Sequence, residues 1–113
     1  MSAQTAADLR AAADLIEQNG WIQGAYHGVR DGKTCHCALG AIAAVVTGEK
    51  FANPDHRPGI GSRYWAAVSK LNRTLQLDGD LETVHEWNDY QAESAAEVIA
   101  ARRAAADRAE AEQ

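Results

Sequence analysis

The stretch Cys35-His36-Cys37-Ala38-Leu39-Gly40-Ala41-Ile42-Ala43-Ala44-Val45-Val46-Thr47-Gly48 decides the fold. It lies in the longest run of the chain without a charged residue and holds both cysteines. Ala38, Leu39, Ala41, Ile42, Val45 and Val46 are apolar nearly all round a helical wheel, the pattern of a core helix rather than a surface one. The sequence therefore predicts a buried central helix over about 37–47, opened by Cys37 and stopped by Gly48, with Cys35 and His36 as an extended lead-in. Burying Ile42, Val45 and Val46 contributes roughly 1.5–3 kcal/mol each before the entropy of ordering is charged. Gly40 sits inside this helix at a cost of about 1 kcal/mol relative to alanine, which predicts close approach of a neighbour, expected to be a helix carrying a tryptophan.

Upstream, Thr5-Ala6-Ala7-Asp8 has the form of a capping box. Leu9, Ala12, Ala13 and Ile16 follow at helical spacing, and Asn19-Gly20 supplies a left-handed terminus. Trp21 and Ile22 are expected to fold back onto the core. Gly24, Gly28 and Gly32 break any helix over 23–34, and Asp31-Gly32 between short apolar segments allows a β-hairpin near 25–36, with an irregular loop as the alternative.

Downstream, Pro54, Pro58, Gly59 and Gly61 mark a loop. Ser62 is placed to cap a third helix whose inner stripe is Tyr64, Val68, Leu71 and Leu75, with Trp65 beside it. Leu81, Val84, His85 and Asn88 repeat at helical spacing and lead into Trp87-Asn88-Asp89. Ser94-Ala95-Ala96-Glu97 is a capping box for the last helix, whose inner face includes Val98, Ile99 and the stem of Arg102. Residues 110–113 are expected to fray. The fold class is mostly α: one domain over 1–113, a bundle of four main helices around the buried one.

At 113 residues, with 46% hydrophobic and 24% charged content, the chain has the composition of a globular domain and not of a disordered one. The net charge of -5 argues against nucleic acid as a partner. Lys50, Arg57, Arg63, Lys70 and Arg73 form a local basic region, read as a solvated face or as a docking patch for an acidic partner. There is no apolar run of the roughly 18 residues that a membrane span needs, and the N-terminus lacks the pattern of a signal peptide. Two cysteines one residue apart form no useful cross-link, so reduced thiols and a cytoplasmic location are expected.

Three short motifs, taken in order, carry a resemblance: Asn19-Gly20-Trp21, Cys37-Ala38-Leu39-Gly40-Ala41 and Trp87-Asn88-Asp89. Together they resemble a family of small uncharacterised proteins of actinobacteria and their phages, and the resemblance covers nearly the whole chain. It implies a small, mostly helical cytoplasmic protein without an assigned activity, and no catalytic residue.

Chemistry is sought in three constellations. A cysteine at a helix start gains from free N–H groups and the positive end of the dipole, so Cys37 is the candidate nucleophile, His85 its base, and Asn88 or Asp89 the group that orients the imidazole. The competing reading makes Cys37 a small buried hydrophobe and His85 a core histidine. His27, Cys35, His36 and Cys37 offer nitrogen and sulfur ligands for a small zinc module, although paired zinc cysteines usually stand two or more residues apart. His56, Arg57, Trp65 and Trp87 are candidates for the rim of a binding groove, against a structural reading in which Trp87 fills the core and Asn88 and Asp89 bond local backbone. No phosphate-cradling glycine loop or nucleophile elbow is present. The leading expectation is a protein-interaction or regulatory protein without a cofactor, acting on another protein and open to homo-oligomerisation. A cysteine-dependent enzyme built on Cys37 and His85 is the alternative, and the zinc module the second.

Overall fold

Cys37 takes an extended backbone, with φ -83° and ψ 179°, and the chain turns helical at Ala38. A computed structural model of the chain describes residues 2–53, 61–75, 84 and 86–112. In chain order these form α1 (Ser2–Asn19), β1 (His27–Arg30), β2 (Lys33–His36), α2 (Ala38–Thr47), α3 (Ser62–Thr74), a π-helical turn (Trp87–Gln91) and α4 (Ala95–Ala111). Among the described residues the fold is therefore mostly helical with a small antiparallel hairpin, as the patterning predicts. No helix among them is long and apolar enough to cross a membrane.

Every residue of α2 from Ala38 to Ala44 is buried, and Gly48 ends the helix at φ 76° with its N–H on the Ala44 carbonyl. α2 packs against α1 and α3, and α4 lies against those two helices; Leu9, Ala12 and Ile16 of α1, Tyr64, Val68 and Leu71 of α3, and Val98, Ala105 and Ala109 of α4 share one core cluster with it. The two long helices α1 and α4 run antiparallel, because Arg10 meets Asp107 and Glu110 while Arg103 meets Asp14 and Glu17. These ion pairs lie on the surface and fix register more than they stabilise.

The choice between loop and hairpin resolves in favour of the hairpin. Asp31 (φ 51°) and Gly32 (φ 77°) both adopt positive φ, the signature of a two-residue turn whose twist matches that of the strands. The register pairs Arg30 with Lys33, Val29 with Thr34, Gly28 with Cys35 and His27 with His36. Beyond α1, Gly20 turns at φ 119° and Trp21 bridges His36 in parallel, and Trp21 and Ile22 pack against the core as expected.

Several local expectations are corrected. Thr5 does not cap α1, which already runs from Ser2; the buried Asp8 carboxylate is instead held by Arg63 at 2.7 Å and 3.2 Å and by Gln4 at 2.9 Å. Ser62 is the first residue of α3, and the cap position falls to Gly61 without a side-chain bond. The close neighbour of Gly40 is backbone, not a helix: a Cβ there would fall 2.0 Å from the Tyr26 carbonyl oxygen. At the C-terminal end, Glu110 pairs with Arg10, and Glu112 pairs with Lys70 and Arg108. Arg102 buries its whole side chain and not only the stem. Ser94 caps α4 as predicted, accepting the Glu97 N–H at 3.2 Å, while the Glu97 carboxylate takes the N–H of Glu93, one residue ahead of the cap.

Candidate functional site

The three motifs that carry the family resemblance, far apart in sequence, meet at the start of α2. Asn88 is fully buried there. Its Oδ1 accepts the indole N–H of Trp21 at 2.8 Å and the backbone N–H of Ala38 at 2.9 Å. Its Nδ2 donates to the Ile22 carbonyl at 3.3 Å and to Asp89 Oδ1 at 2.9 Å. One side chain thus satisfies a free donor at the helix start, anchors the segment after α1, and fixes its own turn. The expectation that Asn88 and Asp89 bond local backbone is therefore incomplete: the bonds reach across the molecule.

Gln23 Nε2 donates to the carbonyls of Asn88 and Asp89 in the π-turn and of Ala92 just past it, at 3.0, 3.1 and 3.2 Å. Asp89 Oδ1 also accepts the Gly24 N–H at 2.9 Å. Trp87 is buried in the core and so is not available at a surface rim, whereas Trp65 is exposed and meets the Tyr64 ring edge-on at 4.6 Å between centroids.

Cys37 occupies the cap position of α2. Its Sγ accepts the Gly40 N–H at 3.3 Å, its own N–H donates to the Tyr26 carbonyl at 3.0 Å, and its side chain is fully buried. Two effects act on the thiol in opposite directions. Burial raises its pKa above the ordinary value; the Gly40 and Leu39 N–H groups and the Arg102 charge lower it, and burial is the larger. The helix-start donors that suggest a thiolate are present, but desolvation outweighs them, so the group is a protonated thiol at neutral pH. His85, its candidate base, lies outside the described residues, as do His56 and Arg57.

Above this junction lies Arg102, whose guanidinium donates from Nη2 to the Ala38 carbonyl. Its Nε and Nη1 are buried without a partner among the described residues, and burial lowers its pKa to about 10. It still carries its charge at neutral pH, in a setting where an uncompensated charge is costly.

The candidate metal ligands diverge. Cys35 packs against α1, with Sγ 3.4 Å from the Asn19 carbonyl, and it is the neighbour that leaves room only for glycine at position 20. Cys37 turns to cap α2. His27 and His36 share the other face of the hairpin, where the His27 ring meets Phe51 edge-on at 5.1 Å. No group of three or more potential ligands occurs among the described residues. Burial, with the His27 and Arg102 charges adding to it, lowers the His36 pKa to about 4, so this imidazole is neutral at pH 7.

Beside His36 the hairpin, α1 and α2 enclose a cleft of about 500 Å³. Its wall includes Leu15, Lys33, Thr34, His36, Val45 and Lys50. Sequence reading misses this cleft, because its wall comes from three separate stretches with no motif of their own. It also misses Trp21, Gln23 and Arg102 as polar partners; the only signal for Arg102 is a lone cation on an otherwise apolar helix face.

No curated protein and no solved structure matches the chain. A family model, described as a family of unknown function (DUF6197), matches residues 1–108, nearly the full length. That span takes in all three motifs gathered around Asn88, and the chain belongs to the DUF6197 family.

Proposed function

We propose that this is a small regulatory or protein-binding protein that acts by docking onto another protein rather than by catalysis. The observation that carries the reading is the use to which the junction puts its polar groups. Cys37 caps a helix from a fully buried position, and Asn88 spends both ends of its amide on holding three segments together. Groups so engaged are not free to bind or activate a substrate. The cysteine-dependent alternative has correspondingly little support, since burial keeps the Cys37 thiol protonated.

A contact surface is suggested by apolar side chains left in solvent. Val29 is 63% and Phe51 54% exposed, and they belong together, since Val29 shares a hairpin face with His27, on whose ring Phe51 rests. The basic region has a weaker claim, because Arg63 is committed to Asp8 and Lys70 to Glu112. Two free, buried cysteines suit a reducing cytoplasm, and the alanine-rich composition suits an actinobacterial or phage setting.

The test is affinity purification from an actinobacterial lysate with wild-type protein and a Val29→Glu, Phe51→Glu double variant side by side. A stoichiometric partner retained by the wild type and lost by a variant with an unchanged circular dichroism spectrum supports the reading. Failure to recover any specific partner, or equal recovery by the two proteins, counts against it.

A further inference from the structure

The hairpin has one open edge. β2 is closed on its far side, where His36 donates its N–H to the Gly20 carbonyl and accepts the Ile22 N–H. β1 (His27–Arg30) has no strand beyond it among the described residues. We propose that this edge pairs with the same edge of a second copy of the chain, antiparallel about a two-fold axis at Gly28, so that the sheet continues as β2-β1-β1-β2. The inference goes beyond the docking reading and needs no other protein; a weakly self-paired edge is one that such a partner can displace.

The direction of the backbone groups follows from the turn. Asp31-Gly32 is a two-residue turn, so Arg30 and Lys33 form the closing hydrogen-bonded pair, and bonded and non-bonded pairs alternate from there. Gly28 is therefore bonded to Cys35, whereas Val29 with Thr34 and His27 with His36 are non-bonded pairs. The outward bonds of His36 to Gly20 and Ile22 agree with that alternation. His27 and Val29 thus turn their backbone N–H and C=O groups away from β2, and none of these groups has a hydrogen-bond partner among the described residues. Sheets commonly blunt such an edge with proline, a bulge or charges. β1 has no proline, its register is unbroken, and its one formal charge, Arg30, stands at the turn end.

Self-complementarity decides the occupant. With the axis at Gly28, His27 of each copy stands opposite Val29 of the other, so outward-facing residues meet only outward-facing ones. Each such pair exchanges two hydrogen bonds, and the two pairs use every free group of both edges. The same register sets the exposed Val29 against His27 of the second copy, on whose ring the exposed Phe51 rests, so apolar surface is covered together with the backbone. Charge favours this register over its neighbour. Arg30 falls opposite Tyr26 and about 13 Å along the strand from the second Arg30, outside the screening length of about 8 Å at physiological salt. An axis at Val29 would bring the two arginines to about 7 Å and set His27 against the turn.

The test is sedimentation velocity of the purified full chain from about 1 µM to about 1 mM, a span that reaches weak pairs, with amide hydrogen exchange of the isotope-labelled protein at both ends of the range. So short an edge predicts a reversible dimer with a dissociation constant of roughly 10–100 µM. The amides of His27 and Val29 should then be protected roughly fivefold or more at about 1 mM, the ratio of total to free chain, while those of Gly28 and Arg30, already bonded within the hairpin, change little. Val29→Lys, at an exposed position, should weaken pairing roughly tenfold or more, and Phe51→Ser, outside the hairpin, roughly threefold, both with the wild-type circular dichroism spectrum. A chain that stays monomeric at about 1 mM, a dimer that neither variant weakens by more than about twofold, or a dimer whose His27 and Val29 amides exchange as in the monomer would each overturn the assignment. No other protein is present in this experiment, so its failure leaves the docking reading to be decided by the affinity purification.

Discussion

Replacing Asn88 by alanine tests the junction at its centre. The change removes an acceptor shared by Trp21 Nε1 and the Ala38 N–H and a donor shared by the Ile22 carbonyl and Asp89. The two sides do not weigh equally. Asp89 keeps its bond to the Gly24 N–H, whereas the Ala38 N–H lies at a buried helix start with no other acceptor described. An unsatisfied buried donor costs about 1–3 kcal/mol, so the Ala38 N–H, the part-buried Trp21 N–H and the cavity together give a loss of about 2–4 kcal/mol. For a domain of this size that is a large part of a total stability of roughly 5–15 kcal/mol. The assay is urea denaturation followed by far-ultraviolet circular dichroism, with Trp21→Phe as the second arm of a double-mutant cycle. Trp21 and Asn88 should couple by about 1 kcal/mol, the net value of one hydrogen bond. A native-like Asn88→Ala variant that loses less than about 1 kcal/mol, below the cost of even one unpaired buried donor, would refute the reasoning.

Three further outcomes are expected. Gly40→Ala gains helix propensity of about 1 kcal/mol yet should be destabilised by more than about 2 kcal/mol in the same assay, because the new methyl meets the Tyr26 carbonyl at 2.0 Å; a stabilised variant would show that the hairpin yields easily. Arg102→Met should be neutral or stabilising by about 1–3 kcal/mol, since it replaces a buried charge that has one carbonyl acceptor by an apolar chain of similar length; a loss beyond about 2 kcal/mol would mean that the guanidinium is well compensated. His36 binds its proton less readily in the folded chain, at about 4, than at its ordinary 6.5. The unfolded state therefore takes up the proton first as the pH falls: the stabilisation is complete above pH 6.5 and is lost between 6.5 and about 4, by about 3 kcal/mol. A His36→Gln variant should lack that part of the acid sensitivity, and equal acid slopes for the two proteins would contradict this origin.

What the sequence makes legible is local. The buried helix follows from an uncharged run with apolar residues on every side, its end from Gly48, the turn from Asp31-Gly32 and the start of α4 from Ser94, each a signal contained within a few residues. The rest is decided between segments. Gly40 announces a close approach, but nothing near it says that the neighbour is the Tyr26 carbonyl. The bond from Asn88 to Trp21 spans 67 positions and has no periodicity to betray it. Asp8, which looks like half of a capping box, turns to Arg63, 55 positions away, because α1 already has its first turn before Thr5. At the start of α2, sequence singles out Cys37, Asn88 and Asp89, but the thiol chemistry weighed for Cys37 depends on exposure. Exposure is a property of the assembled core, in which Cys37 lies fully buried.

Alkylation of Cys37 by iodoacetamide in the native protein, resolved from Cys35 by peptide mass spectrometry, bears most directly on this placement. A thiol that caps a buried helix should remain unlabelled at neutral pH and react only as fast as the chain unfolds, with denaturant accelerating the reaction in parallel with the loss of helix signal. Rapid labelling of the native chain, with an apparent pKa below the free value of about 8.5, would place a reactive thiolate at the surface and contradict it.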